Sequence, residues 1–142
     1  MFSLTELHPM LVHFPIALVT VGFLAELLSF FIKKETCLPK ISLYLLLLGT
    51  LAAIGALLAG GLFTSEMSGE AGIVRETHAS LALLTLLFLI VTSILRITPL
   101  LTKKPSKSID RLAFIFYLLA VISVSATGYF GGTLVYNYMM LL

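Results

Sequence analysis

The sequence predicts an all-α integral membrane protein, a four-transmembrane-helix up-down antiparallel bundle with both termini outside. Three observations carry this. Of 142 residues, 59% are hydrophobic and only 11% charged, against roughly 25% charged in soluble domains. Four apolar segments are each long enough to cross a hydrocarbon core, which takes about 20 helical residues. The basic residues collect at one end of those segments. Nine Lys and Arg with seven Asp and Glu cannot coat a soluble surface. This excludes an ordinary soluble globule, a disordered chain and a nucleic-acid binder with a basic face.

The first segment spans about 9–32. Glu6 precedes it without any Lys or Arg, and Lys33 and Lys34 follow it. It is also too long for a signal-peptide core, so it reads as a retained helix. Pro9 suits the first turn of a helix, and Pro15 removes a backbone donor and bends the entry. The second segment covers about 41–63, the third about 78–101 and the fourth about 109–136. Backbone groups in lipid must be bonded within the segment, so all four are helices, and the alternating pattern of barrel strands is absent. The connectors 33–40, 64–77 and 102–108 are short, which favours antiparallel neighbours in a single domain, 1–142. Gly55-x4-Gly60-Gly61 and Gly128-x2-Gly131-Gly132 close the second and fourth helices, and their partner helices each open with a His. That pattern suggests a duplicated hairpin.

Orientation follows from the cations. Lys33, Lys34, Lys40, Arg96, Lys103, Lys104, Lys107 and Arg111 fall at one end, and only Arg75 at the other. The basic end is expected to be cytoplasmic, which puts both termini in the periplasm or its equivalent. Cys37 is the only cysteine. It excludes an internal disulfide, a CxxC redox pair and covalent haem attachment through CxxCH. No GxSxG, HExxH or rigidly placed pair of outer carboxylates points to a hydrolase.

The three histidines, His8, His13 and His78, all map to the outer end. Imidazole is the commonest neutral metal ligand near physiological pH, and ionisable groups inside membranes are usually functional. In an up-down bundle the first and third helices are diagonal, roughly 12–14 Å apart if neighbours lie about 8–10 Å apart. Two imidazoles and an iron fill that span, as in a bis-histidine b-type haem. The favoured ligands are His13, taken as the deeper and inward-facing one, and His78. His8 lies about 140° round the helix from His13. It is the second choice, or a contact to a propionate or quinone, or an exposed interfacial group. A flat macrocycle needs small neighbours, and Gly60, Gly61, Gly128, Gly131 and Gly132 supply them at that depth. Close helix packing is the competing explanation of those glycines. Arg75 is a candidate partner for a propionate. Tyr136, with Tyr129 and Tyr138, serves as an interfacial anchor or as a donor to a ligand. Glu26 and Arg96 lie at matching depth in the inner half and are expected to pair.

His8-Pro9-x3-His13-Phe14-Pro15-Ile16-Ala17-Leu18, Arg75-x2-His78 and Gly131-Gly132-Thr133-Leu134-Val135-Tyr136 resemble the motifs of a bacterial membrane family, domain of unknown function family 2231. The resemblance spans essentially the whole chain and extends to an acidic position in the first helix, here Glu26. It implies a four-helix protein of the bacterial inner membrane. Some members are fused to Rieske or cytochrome c domains, which implies redox work. No such domain is expected within these 142 residues, so the electron partner would be a separate periplasmic carrier or a quinone.

The expected function is therefore b-type haem binding in electron transfer, as a cytochrome b-like subunit more than a stand-alone enzyme, and a homodimer is compatible with it. One haem at one face would not carry an electron across the membrane alone. The first alternative is a transition-metal site, zinc or copper, for binding or transport, built from His8, His13 and His78 with Glu70 or Glu76. The second is a non-catalytic membrane subunit or assembly factor, in which the histidines cap helices and the glycines pack them.

Overall fold

The computed structural model describes residues 4–139, and among them there is no strand. Its α-helices are α1 (Leu4–Leu11), α2 (His13–Phe31), α3 (Cys37–Phe63), α4 (Gly69–Thr102) and α5 (Lys107–Thr133). A π-helical turn, Leu134–Met139, continues α5. Among the described residues, four helices are long and apolar enough to cross a membrane. Large side chains such as Phe31, Leu62 and Tyr44 stand exposed around them, as a surface facing lipid requires.

The helices differ from expectation mainly at their ends. The first segment is broken at Val12, which separates α1 from α2. Pro15 lacks the N–H that would bond the Leu11 carbonyl, so the hydrogen-bond ladder is interrupted there, while Val12 keeps helical torsions (φ −64°, ψ −20°) and the two pieces continue as one span. α3 starts at Cys37 rather than near 41, since Pro39 sits in the first turn, where no intrahelical donor is needed. The expected loop 64–77 shrinks to 64–68. Gly69 takes φ +66° and opens α4, whose first turns hold Glu70, Arg75 and Glu76. These are good helix formers with an acid near the positive helix N-terminus. The Ser106 hydroxyl accepts from the Ile109 N–H to start α5, with Asp110 in its first turn.

α2 packs along α3 and α4 along α5, and the ring closes through α3 with α4 and α2 with α5. Contacts show both hairpins to be antiparallel. On the first, Val19 meets Gly49 and Glu26 meets Ser42. On the second, Thr85 meets Ser123 and Arg96 meets Asp110. The core between them is Val19, Phe23, Leu46, Leu89, Tyr117, Ala120 and Val124. Gly22 lets the Tyr117 ring into it, because a β-carbon there would fall on the phenol oxygen. Hydroxyl pairs join helices within the core: Thr50 with Ser93 at 3.1 Å and Thr85 with Ser123 at 2.8 Å.

Candidate functional site

Two histidines meet at one end of the bundle, and they are His8 and His78. Their ring centroids are 6.1 Å apart with planes at 84°. His8 Nδ1 lies 2.9 Å from the Ala56 carbonyl of α3. His78 Nδ1 lies 2.9 Å from the Thr127 carbonyl of α5. A carbonyl only accepts, so Nδ1 carries the proton in each ring and Nε2 keeps its lone pair. That is the tautomer a metal-binding histidine uses, with the backbone carbonyl as its orienting partner.

A glycine stands beside each ring. A β-carbon at Gly60 would come within 2.9 Å of His8 Cε1, and one at Gly131 within 3.0 Å of His78 Cε1. Each carbonyl partner precedes its glycine by one helical turn. The arrangement is therefore doubled: leading helix, histidine, carbonyl and glycine recur on the second hairpin. Histidine and carbonyl are separated by 48 residues in the first hairpin and 49 in the second. At the other end of the bundle, Glu26 of α2 and Arg96 of α4 pair across the same 70-residue interval. Glu26 is buried, and its second carboxylate oxygen accepts from Ser42 Oγ at 2.9 Å. The ion pair expected from helix depth is formed, and Asp110 joins it 3.8 Å from Arg96.

Other expected residues lie elsewhere. His13 does not face inward: its side is exposed, and Nδ1 sits 2.7 Å from the Pro9 carbonyl of its own segment. The physical reason is rotation. Buried Pro15, Val19, Gly22 and Glu26 define the inner face of α2. His8 lies about five whole turns from Glu26, whereas His13 is about 140° off that face. Glu26 thus carried a signal that selects His8, since an intramembrane acid must point inward.

Of the glycines, Gly60 and Gly131 pack against the imidazoles themselves, and Gly128 faces Ile16 at 3.3 Å. Gly61 and Gly132 have nothing within 4 Å. Gly128 and Gly132 line a shallow groove of about 340 Å³ with Tyr129 and Tyr136, and Tyr136 is exposed. Arg75 reaches Thr64 Oγ1 at 3.5 Å, and the Thr64 hydroxyl in turn donates to the Gly60 carbonyl. This ties the guanidinium to the turn beside Gly60. Glu70 and Glu76 are exposed on α4. Among the described residues, no three of His, Cys, Asp and Glu gather into one cluster. Sequence reasoning missed the Ala56 and Thr127 carbonyls, because any residue type supplies one.

A family model described as a predicted membrane protein, DUF2231, matches residues 5–141. Comparison with curated proteins and with solved structures gives no match.

Proposed function

Starting from a chain that belongs to the DUF2231 family of predicted membrane proteins, we propose that it holds one b-type haem between His8 and His78 and works in electron transfer. The observation that carries this is the close pair of imidazoles, each with Nδ1 committed to a backbone carbonyl. An iron about 2 Å from each ring nitrogen sets two imidazole centroids roughly 6 Å apart, and the rings stand at 6.1 Å. Two protein ligands complete a haem iron, whereas a bare zinc or copper ion takes three or four. When bound, the haem would supply a one-electron couple. The chain's own residues would fix the ring orientation, raise ligand basicity through the Nδ1–H bonds and keep water away.

Eight of nine basic residues at the opposite end from the histidines support an orientation in the bacterial inner membrane with termini and haem on the periplasmic side. The partner is then a periplasmic redox carrier or a quinol reached from that face.

The test is a dithionite-reduced minus oxidised spectrum of the purified protein, with metal analysis on the same sample. Near-stoichiometric iron with sharp alpha and Soret bands is expected. His8→Ala and His78→Ala should lose the haem, and His13→Ala should keep it. Loss in His13→Ala with retention in His8→Ala would overturn the ligand assignment. Colourless protein with bound zinc or copper would favour the metal site, and colourless protein without metal a packing or assembly role.

A further inference from the structure

At the end of the bundle away from the histidines, α2 and α5 part to leave a cleft of about 470 Å³. Its floor is the buried Glu26–Arg96 pair, its rim holds Asp110 and Arg111, and its walls are Phe30, Phe114 and Ile115. Phe30 and Ile115 are half exposed on the outer surface of the bundle, so the cleft opens sideways onto its apolar outer face. We propose that it binds an anionic phospholipid, the phosphate at Arg111 and an acyl chain along the phenylalanine wall.

Three features point to that occupant. The ion pairs among the described residues are Arg96–Glu26 and Arg96–Asp110. The exposed Arg111 guanidinium is therefore left without a carboxylate partner, free for a bidentate contact to phosphate. The surroundings are cationic: Lys107 lies one turn before Arg111, Lys40 follows the cleft residue Pro39, and Lys33, Lys34, Lys103 and Lys104 flank both hairpin turns. Only Glu26, Glu35 and Asp110 oppose them at this end. A basic pocket between transmembrane helices with apolar walls suits an acidic headgroup and its chain together. The site is independent of the haem, which would lie at the far end of the same helices.

The test uses the full chain in a neutral detergent. It is incubated with equal amounts of phosphatidylglycerol and phosphatidylcholine of identical acyl chains, and native mass spectrometry counts retained lipid. Phosphatidylglycerol should be retained about fivefold over phosphatidylcholine, the preference one surface arginine confers. Arg111→Gln should bring the ratio towards one, and Arg111→Lys, which keeps the charge but not the bidentate fork, should keep only part of it. Arg111 is exposed, so the exchange leaves the fold intact. Equal retention of both lipids, or an unchanged ratio in Arg111→Gln, would overturn the proposal. Displacement of phosphatidylglycerol by millimolar inorganic phosphate would show that the headgroup anion alone accounts for binding, with no contribution from the acyl chain, and that outcome too would overturn it.

Discussion

One methyl group at Gly60 or Gly131 reaches the imidazole it faces. The added β-carbon would stand 2.9 or 3.0 Å from a ring carbon, closer than van der Waals contact allows. The ring must tilt, and its 2.9 Å bond to Ala56 or Thr127 is the first thing lost. Gly60→Ala and Gly131→Ala should each cost about 1–3 kcal/mol by overpacking and, on the proposed haem reading, sharply lower haem retention. Gly61→Ala and Gly132→Ala meet open space and should leave both stability and haem content unchanged. Thermal unfolding in detergent and the haem-to-protein ratio check all four. Equal losses at all four positions would return the glycines to general helix packing. The sequence made the glycine pairs visible but not which member of each pair faces a histidine. Adjacent residues on a helix differ by about 100°, and only packing against a neighbour fixes that rotation.

Among the helices, the Glu26–Arg96 pair bridges the two hairpins across the bundle. Glu26 is 5% exposed, and its two carboxylate oxygens accept from Arg96 and from Ser42. Without Glu26, the partly buried Arg96 keeps only its 3.8 Å contact to the exposed Asp110, and Ser42 loses its acceptor, which places the cost at the lower end for breaking a buried pair, about 3 kcal/mol. Glu26→Ala should therefore be among the most destabilising single changes in the chain, measured by denaturant unfolding in micelles. Glu26→Arg with Arg96→Glu should recover part of that loss, since the reversed pair spans the same gap. This pairing was legible from depth alone, as were four helices and the antiparallel hairpins that their short connectors favour. Two kinds of feature were not. Helix ends depend on whether polar residues such as Glu70 and Glu76 extend a helix or leave it, and hydropathy is silent on that. The facing of His8 over His13 depends on rotation about the α2 axis, which Glu26 could have revealed had its inward direction been used as a reference.

For the whole molecule the arrangement is two antiparallel hairpins packed against each other, with each shared pair drawing one residue from each hairpin. His8 meets His78 at one end and Glu26 meets Arg96 at the other, with Val19 and Leu89 fully buried between. Because the two ends differ so strongly in charge, orientation in the membrane decides which compartment the histidines serve. Cys37 reports it without any mutation. It is the only cysteine, it is exposed, and it begins α3 between Lys34 and Lys40 at the basic end. With the basic end cytoplasmic, a membrane-impermeant maleimide should leave Cys37 unlabelled in intact spheroplasts and label it fully in inverted vesicles. Addition of detergent to the spheroplasts should restore labelling and so show that the thiol itself is reactive. Labelling from outside would place the imidazole pair in the cytoplasm. On the proposed haem reading, a periplasmic carrier would then be excluded, and the electron partner would have to be sought among cytoplasmic donors.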